Sequence, residues 1–522
     1  MRLLFTPARG CTRLARPLFR PVQSFRGLSL TVPRKEERKW STPLAKELYK
    51  AISATGPVPL ATYMRMCLTG DLGGYYTGDI GAKEGDHFGT KGDFITSPEI
   101  SQCFGEMIGI WLVAEWMSQG RLTSPSHRIQ LIEIGPGRGT LMADILRTVH
   151  RFPAFASSID TIYMVEASRE LAKRQKNLLC GEAAPLIKTE IGQSSVCKQN
   201  SETIVWTDSI TAIPNDDKTI PFVVAHEFFD ALPIHVFQSV STPSPPPPTE
   251  APGEAPAAEQ QRAKPKVAKQ PEPTEWREML VAPVQPGTTP VNTGAFRSSE
   301  PGLPSEFQLV LSSAPTKQSL YMPEASSRYK QLKKVPGSVI EICPDAAFYA
   351  GEIARRIGDG REPKGAALIL DYGTESTIPI NSLRGIREHK FVDPFTLSGL
   401  VDLSADVDFM AVTEAALEAS EGVEVHGPVC QADFLELMGI KERVAMLVKH
   451  IKSDTSASAS EKDEKIQNIT EAWKRLVDRG PNGMGKLYKA LAIIPENDGR
   501  RAPVGFGGDL AQAQQRGPTD KN

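Results

Sequence analysis

Residues 129–141 read IQLIEIGPGRGTL, and this stretch decides the fold. The run 129–134 is apolar enough for a buried strand, three glycines follow at alternate positions, and 142–150 (MADILRTVH) has the spacing of an amphipathic helix. A strand, a glycine turn and a helix bring backbone N–H groups and a helix N-terminus against a ligand. The segment therefore predicts an α/β sheet with a nucleotide-type site. The alternative is a structural turn with spare glycines.

The spacing of the glycines separates this turn from a dinucleotide site. The glycines are Gly135, Gly137 and Gly139, and position 140 is Thr, so the pattern is E-x-G-x-G-x-G rather than G-x-G-x-x-G. Glu133 closes the strand, and a carboxylate at that position suits an ammonium group better than a pyrophosphate. These residues therefore predict a site for S-adenosylmethionine and disfavour a dinucleotide oxidoreductase.

Two further apolar strands are followed by acidic residues. Residues 161–165 (TIYMV) lead to Glu166, where we expect a bidentate contact to a ribose diol. Residues 203–207 (TIVWT) lead to Asp208, where we expect the adenine amino group. A solvated acid at a strand end is the alternative for Glu166.

More strands are predicted at 220–225, 366–370 and 488–494. Successive buried strands separated by helices indicate a mostly parallel, doubly wound sheet. Such sheets bind their ligands at the carboxyl ends of the strands, which is where the acidic residues fall.

The sequence gives no support for a metal site. In HEFFDALP (226–233) a zinc-binding helix would need a second histidine where the chain has Asp230. The seven cysteines form no C-x-x-C pair, and their odd number fits free thiols in a reducing compartment. We therefore expect no metal.

Two polar clusters allow a structural and a functional interpretation. In 89–105 (GTKGDFITSPEISQCFG) we expect Ser97 to cap a helix and the preceding loop, with Asp93, to form a lid over the cofactor. A plain loop is the alternative. The acids of 402–408 (DLSADVD) indicate either a rim that receives a cationic peptide or a set of capping and solvated residues.

Composition excludes two classes of protein. Lysine and arginine number 60 against 62 acidic residues, so the formal net charge of −2 does not fit non-specific binding to nucleic acid. No run of 18 apolar residues is present in the sequence, so we expect no transmembrane segment.

Local composition also divides the chain. Residues 1–40 are basic, and the first acid is Glu36, which is typical of a mitochondrial targeting arm. We expect an N-terminal helical and lid region at 41–125, the sheet at 126–240 and 306–496, a disordered Pro-rich insert at 241–305, and a disordered tail at 497–522. Strand-like sequence at 233–240 and 276–281, on either side of the proline-rich part at 241–275, indicates that the insert extends a hairpin.

Several motifs in order resemble the MidA-like family of mitochondrial methyltransferases, which are complex I assembly factors. They are GDFITSPEIS (92–101), LIEIGPGRGTL (131–141), AHEFFDALP (225–233), EICPDA (341–346), LILDYG (368–373) and LSADVDF (403–409). The resemblance implies a class I (Rossmann-like) methyltransferase sheet, here with an N-terminal helical extension and inserted antiparallel strands. It also implies S-adenosylmethionine as donor and a location in the matrix.

The resemblance further implies symmetric dimethylation of an arginine on a core subunit of respiratory complex I, with Gly135, Gly137 and Gly139 essential for donor binding. A catalytically idle assembly chaperone with the same fold is the alternative, and small-molecule methylation is a third possibility. The oligomeric state stays open.

For arginine methylation the candidate catalytic residues follow the fourth strand. A guanidinium is protonated, so a carboxylate must hold it and receive a proton. Glu227 is the first candidate and Asp230 the second. Phe228 and Phe229 either wall the channel and stack on a cation, or belong to the core.

Overall fold

The computed structural model describes residues 38–78, 95–120, 128–242, 273–285, 287–288, 304–481 and 483–507. The targeting arm predicted at 1–40 lies almost entirely outside these residues. The same holds for Asp93 and for most of the predicted lid. Among the described residues, no helix combines the length and the apolar character that crossing a bilayer requires.

The described residues form eighteen β-strands, numbered here in chain order. They are β1 (Val58–Pro59), β2 (Arg128–Ile134), β3 (Ile159–Val165), β4 (Ile187–Lys188), β5 (Gln193–Val196), β6 (Thr203–Thr207), β7 (Thr219–His226), β8 (His235–Ser241), β9 (Thr274–Pro283), β10 (Phe307–Leu311), β11 (Val339–Ile342), β12 (Ala366–Thr374), β13 (Arg384–Arg387), β14 (Lys390–Val392), β15 (Asp402–Ser404), β16 (Val407–Asp408), β17 (Val423–Cys430) and β18 (Tyr488–Pro495).

The α-helices lie between these strands and at their ends. They are α1 (Pro43–Thr55), α2 (Leu60–Thr69), α3 (Ser97–Ile100), α4 (Gln102–Ser118), α5 (Thr140–Val149), α6 (Pro153–Ala156), α7 (Arg169–Cys180), α8 (Lys317–Tyr321), α9 (Ser327–Lys333), α10 (Pro344–Gly358), α11 (Phe409–Ala419), α12 (Gln431–Leu437), α13 (Ile440–Ser453) and α14 (Ala459–Val477).

The large sheet has the order β17-β18-β12-β7-β2-β3-β6-β5-β4, and β16 pairs with β12. The five central strands from β12 to β6 are parallel, whereas β18 and β17 at one edge and β5 and β4 at the other are antiparallel. The predicted doubly wound, mostly parallel sheet is confirmed. Because the central strands are covered on both faces, they consist of nearly continuous apolar runs.

Alternate residues of the central strands supply two separate cores. Leu131 and Leu368 face the core that α4 and α5 cover, whereas Ile132 and Ile369 face the core that α10 and α11 cover. Successive side chains of a strand point to opposite faces, so one apolar strand serves both layers.

A second, antiparallel sheet has the order β1-β9-β8-β11, with β10 paired to β9. Its apolar face packs with α1 and α2 into a third core. Ser241 of β8 pairs with Thr274 of β9, which confirms that the Pro-rich insert extends a hairpin. β9 contains the strand predicted at 276–281, and because it lies within 241–305 the expectation that this whole range is disordered is wrong for 274–283.

Two local expectations need correction. The first residue of α3 is Ser97 itself, and its N-cap is Thr96. The start of the tail is also ordered, because Arg501 donates to Glu115 Oε1 at 2.9 Å and the Trp111 indole donates to the Val504 carbonyl at 3.1 Å. These contacts hold 501–504 against α4, which composition alone does not reveal.

Candidate active site

All three glycines of the turn after β2 have positive φ angles, +67° at Gly135, +52° at Gly137 and +83° at Gly139. This is the left-handed region that favours glycine. A Cβ at Gly135 would lie 2.6 Å from Phe228 Cδ2, and one at Gly139 would lie 3.2 Å from Gln175 Cγ. The turn therefore needs glycine at these two positions for backbone conformation and for packing against neighbouring side chains.

Glu133 lies at the carboxyl end of β2 with 2% of its surface exposed. Burial, and then the nearby Glu166, raise the pKa of Glu133 well above its ordinary value. Within the described part of the chain its Oε2 atom has no hydrogen-bond partner. An unpartnered buried acceptor is costly, and an ammonium group at this point would satisfy it. The glycine turn and Glu133 thus fit the amino-acid end of S-adenosylmethionine.

Gly135, Gly137 and Glu133 line a cavity of about 120 Å³ at the carboxyl ends of β2, β7 and β12. Its other polar walls include Arg138, His226 and two threonines, but most of them are acidic and phenolic side chains brought together from distant segments. They are Glu99, Glu227, Asp230, Asp402, Tyr76, Tyr372 and Tyr488. The described residues contain no group of three His, Cys, Asp or Glu side chains that could hold a metal ion.

Glu166 and Asp208 line a separate and more open groove of about 800 Å³. The Ser168 N–H donates to Glu166 Oε1 at 2.7 Å, and Gln175 Nε2 donates to Glu166 Oε2 at 3.0 Å. Burial raises the pKa of Glu166 to about 7, whereas these hydrogen bonds act in the opposite direction. Asp208 is exposed. The predicted cofactor residues other than Gly139 therefore line two neighbouring depressions on one edge of the sheet.

Glu227 follows β7 with a φ angle of +49°, a strained value for a residue other than glycine. The Ser97 N–H donates to its Oε1 atom at 3.4 Å, and His226 Nε2 lies 3.3 Å from the same atom. Burial, followed by the neighbouring Asp230, raises the pKa of Glu227 well above its ordinary value. Burial lowers the pKa of His226 to about 3, so the imidazole is neutral.

Asp230 is buried, and the Tyr372 hydroxyl donates a hydrogen bond to its Oδ2 atom. Its Oδ1 atom has no hydrogen-bond partner among the described residues. Burial raises the pKa of Asp230, while the Tyr372 hydrogen bond and Arg384 act to lower it. The Arg384 guanidinium lies 4.4 Å from the Tyr372 ring centroid and forms an ion pair with Asp406 at 2.8 Å.

Asp371 lies in β12 and has a structural role. Its Oδ2 atom accepts from the N–H groups of Phe228, Phe229 and Asp230, at 3.1, 2.8 and 3.3 Å. Its Oδ1 atom accepts from the Tyr372 N–H at 2.8 Å. This carboxylate therefore fixes the loop that carries both candidate catalytic residues.

The two phenylalanines of this loop do not form the expected channel wall. Phe229 is only 3% exposed and belongs to the core under the sheet. Phe228 packs edge-on against Tyr349 at 4.9 Å and lies beside Gly135, and neither ring is among the residues that line the described cavity. The core interpretation is therefore the better one for Phe229.

The acids of 402–408 have divided roles. Asp402 lines the cavity and accepts from the Tyr76 hydroxyl at 2.9 Å. Asp406 pairs with Arg384, and Asp408 caps α11 and pairs with Arg328 at 3.0 Å. A continuous acidic rim is therefore not present in this segment. Sequence reasoning missed Tyr76, Tyr372 and Tyr488, which line the cavity, and Gln175, which contacts Gly137 and Glu166.

Comparison with known proteins identifies the family. A family model described as "Putative S-adenosyl-L-methionine-dependent methyltransferase" matches residues 107–429. The "Protein arginine methyltransferase NDUFAF7, mitochondrial" of Rattus norvegicus is 32% identical over 485 residues, covering 91% of this chain and 88% of the relative. The relative from Drosophila melanogaster, named as a homolog of the same protein, is 34% identical over 461 residues, covering 87% and 85%.

A solved structure supports the fold. A COG1565 superfamily member from Burkholderia thailandensis, bound to S-adenosyl-homocysteine, superposes with a TM-score of 0.57 at 21% identity and covers 90% of this chain and 93% of that chain. The predicted class I methyltransferase fold is confirmed. The chain belongs to the family that the matching family model describes as "Putative S-adenosyl-L-methionine-dependent methyltransferase".

Proposed function

We propose that this protein is a mitochondrial protein arginine methyltransferase that symmetrically dimethylates an arginine of a complex I core subunit during assembly. The observation that carries the proposal is that the carboxylates of the half-buried Glu227 and the buried Asp230 line one cavity with the glycine turn. Asp230 Oδ1 and Glu133 Oε2 are both unpartnered within the described part of the chain, and both residues line the same cavity. Asp230 Oδ1 suits a cationic methyl acceptor, and Glu133 Oε2 suits the ammonium group of the donor.

The charge of the cavity favours a cationic substrate. Five acidic side chains line it, whereas the cationic side chain among its described walls, Arg138, lies 3.1 Å from Glu99. An arginine side chain keeps its charge because the pKa of its guanidinium lies above about 12. Repulsion from Asp230 helps to keep the pKa of Glu227 high. A bound guanidinium would offset this repulsion. It can also donate two parallel hydrogen bonds to one carboxylate.

The donor supplies an electrophilic methyl group on a sulfonium. Glu227 and Asp230 hold the guanidinium so that one nitrogen faces that methyl, which makes most of the catalysis a matter of positioning. As the new N–C bond forms, the S–CH3 bond of the donor breaks, S-adenosylhomocysteine leaves as the neutral thioether, and the accepting nitrogen must lose a proton. Asp230 Oδ1 or a Glu227 oxygen receives it, and either carboxylate can then pass it to solvent. Tyr372 fixes the orientation of Asp230 during this step.

The cellular setting rests on the relatives and on composition. Both relatives described above carry "mitochondrial" in their names, and residues 1–40 have the composition of an import sequence. These two observations support the mitochondrion, and we propose the matrix as the compartment and a protein substrate as the partner. No nucleic-acid partner is proposed, because a net charge of −2 lacks the excess of basic residues that is typical of nucleic-acid-binding proteins.

The decisive experiment uses labelled donor. Purified protein is incubated with methyl-labelled S-adenosylmethionine and complex I core subunits, and the label is located by mass spectrometry. We expect two methyl groups, one on each terminal nitrogen of a single arginine. Donor binding without transfer to any subunit would favour the alternative, a non-catalytic assembly chaperone. Label on a low-molecular-weight acceptor would favour small-molecule methylation.

A further inference from the structure

Gln175 is a fully buried amide on α7 that contacts the glycine turn, the predicted ribose carboxylate and β6. Its Nε2 atom donates to the Gly137 carbonyl at 2.7 Å and to Glu166 Oε2 at 3.0 Å. Its Oε1 atom accepts from the Trp206 indole N–H at 2.9 Å. Its exposed fraction is 0%, so these contacts replace solvent.

The orientation of this amide is fixed by chemistry. An indole N–H can only donate, so the atom that faces Trp206 must be the amide oxygen. The amide nitrogen must then face Gly137 and Glu166, both of which offer acceptors. All three interactions agree with one orientation of the amide, which excludes the flipped arrangement.

Glu166 keeps capacity for a diol in this arrangement. Each carboxylate oxygen can accept two hydrogen bonds. Ser168 N–H occupies one position on Oε1 and Gln175 occupies one on Oε2, and the Ala167 N–H also acts on this carboxylate, so the diol must use the acceptor positions that remain. A ribose presents two adjacent hydroxyl donors, one for each oxygen. The plane of the carboxylate decides whether both hydroxyl groups are satisfied together.

We infer that Gln175 is a positioning residue for donor binding, which holds the Glu166 carboxylate at a fixed distance from the glycine turn so that it receives the ribose diol. The inference rests on the proposed role of Glu166 but not on arginine as the substrate. Glu166 sits in the groove, whereas the glycine turn lines the cavity, and Gln175 bonds to both. Its Cγ would also lie 3.2 Å from a Cβ at Gly139.

The test compares two probes by calorimetry, S-adenosylhomocysteine and its 2′-deoxy analogue. The full-length wild-type protein should prefer the ribose form by about tenfold or more, because a charged hydrogen bond is lost in the analogue. Gln175→Leu should weaken binding of S-adenosylhomocysteine about tenfold but binding of the analogue less than about threefold. The preference for the ribose form then shrinks in the variant.

Gln130→Leu is the matched control. Gln130 is also buried, and its Nε2 donates to the Pro214 carbonyl at 3.1 Å, but the contact does not belong to the cofactor site. We expect unchanged affinity for both probes. If Gln175→Leu does not fold, Gln175→Glu serves instead, since it keeps an acceptor for Trp206 while placing a negative charge beside Glu166. That variant should shift the pH midpoint of S-adenosylhomocysteine binding upward.

Equal weakening of both probes, or no weakening of either, in the folded variant would overturn the inference. So would an unshifted pH midpoint in Gln175→Glu. These results differ from failure of the proposed function, because binding is measured without any methyl acceptor. A wild-type protein that binds neither probe contradicts the proposed function itself, whereas one that binds both without preference contradicts the role of Glu166.

Discussion

Asp371 accepts the Phe229 N–H at 2.8 Å from the neighbouring strand, and the same oxygen takes the N–H groups on either side. The two residues are 142 positions apart in the chain. The contact holds the loop after β7 against β12. Asp371 therefore fixes the backbone of the loop that carries Glu227 and Asp230.

Asp371→Asn should lower the free energy of unfolding by about 1.5–3 kcal/mol, because both oxygens of Asp371 accept backbone N–H groups, whereas the amide keeps one oxygen and its NH2 group cannot accept. Urea denaturation measures the loss. Asp359→Asn, at an exposed helix end, is the control and should change stability by less than about 0.5 kcal/mol. Equal stabilities for the two variants would contradict this role for Asp371.

Glu227→Gln should reduce turnover about 100-fold or more while donor affinity stays within a factor of about three. The amide keeps the size of the side chain but accepts no proton at neutral pH. Single-turnover transfer of labelled methyl, together with calorimetry of donor binding, separates the two effects. The exposed Glu421→Gln variant controls for the loss of a charge. Normal turnover in Glu227→Gln would remove Glu227 from the catalytic role.

Gly135→Ala should destabilise the protein by about 2–5 kcal/mol, since a left-handed φ and a close contact add together. Gly499 has a similar φ of +64°, and a Cβ added there would meet no heavy atom within 4 Å, so Gly499→Ala isolates the backbone contribution of about 1–2 kcal/mol. Phe228→Ala in the Gly135→Ala background should recover part of the difference. Additive effects of the two changes would show that the contact with Phe228 is irrelevant.

Donor binding should strengthen as the pH rises through about 7, the value to which burial raises the pKa of Glu166. A ribose diol donates to the ionised carboxylate, so the protonated form must first lose its proton. In the unliganded protein, the contribution of Glu166 to folding stability changes with pH in the opposite direction. Glu166 favours folding below its ordinary pKa of 4.5, and that contribution is lost as the pH rises towards 7.

Thermal unfolding with and without S-adenosylhomocysteine, from about pH 5 to about pH 9, measures both trends. In Glu166→Gln the pH dependence of ligand stabilisation should be flatter, and the unliganded variant should gain stability relative to wild type at alkaline pH. A wild-type affinity that does not change across this range would contradict the assignment of Glu166 to the ribose.

Arg501→Met should lower the free energy of unfolding by about 3–5 kcal/mol, because it leaves the fully buried Glu115 carboxylate without its cation. Urea unfolding of Arg501→Met, Glu115→Gln and the double variant completes the cycle. The double variant should be more stable than Arg501→Met alone. A double variant that is no more stable would show that the pair is not coupled.

The sequence by itself determined the central strands, the glycine turn and the hairpin that flanks the insert. Residues 203–207 and 488–494 were predicted as strands and are β6 and the body of β18. Such features depend on the order of apolar, polar and glycine residues within one short segment. Glu133, Gly135, Gly137 and Gly139 were found for the same reason, since one turn contains all four.

Only the tertiary structure decided which side chains face each other across that sheet. Tyr372 and Asp230 are 142 positions apart, and Tyr76 and Asp402 are 326 apart, so no local pattern links them. Gln175 lies within an ordinary helix, where its periodicity marks a buried side chain but not its partners. Hydrogen bonding between such residues follows from the packing of whole elements, which the short-range pattern of a sequence does not encode.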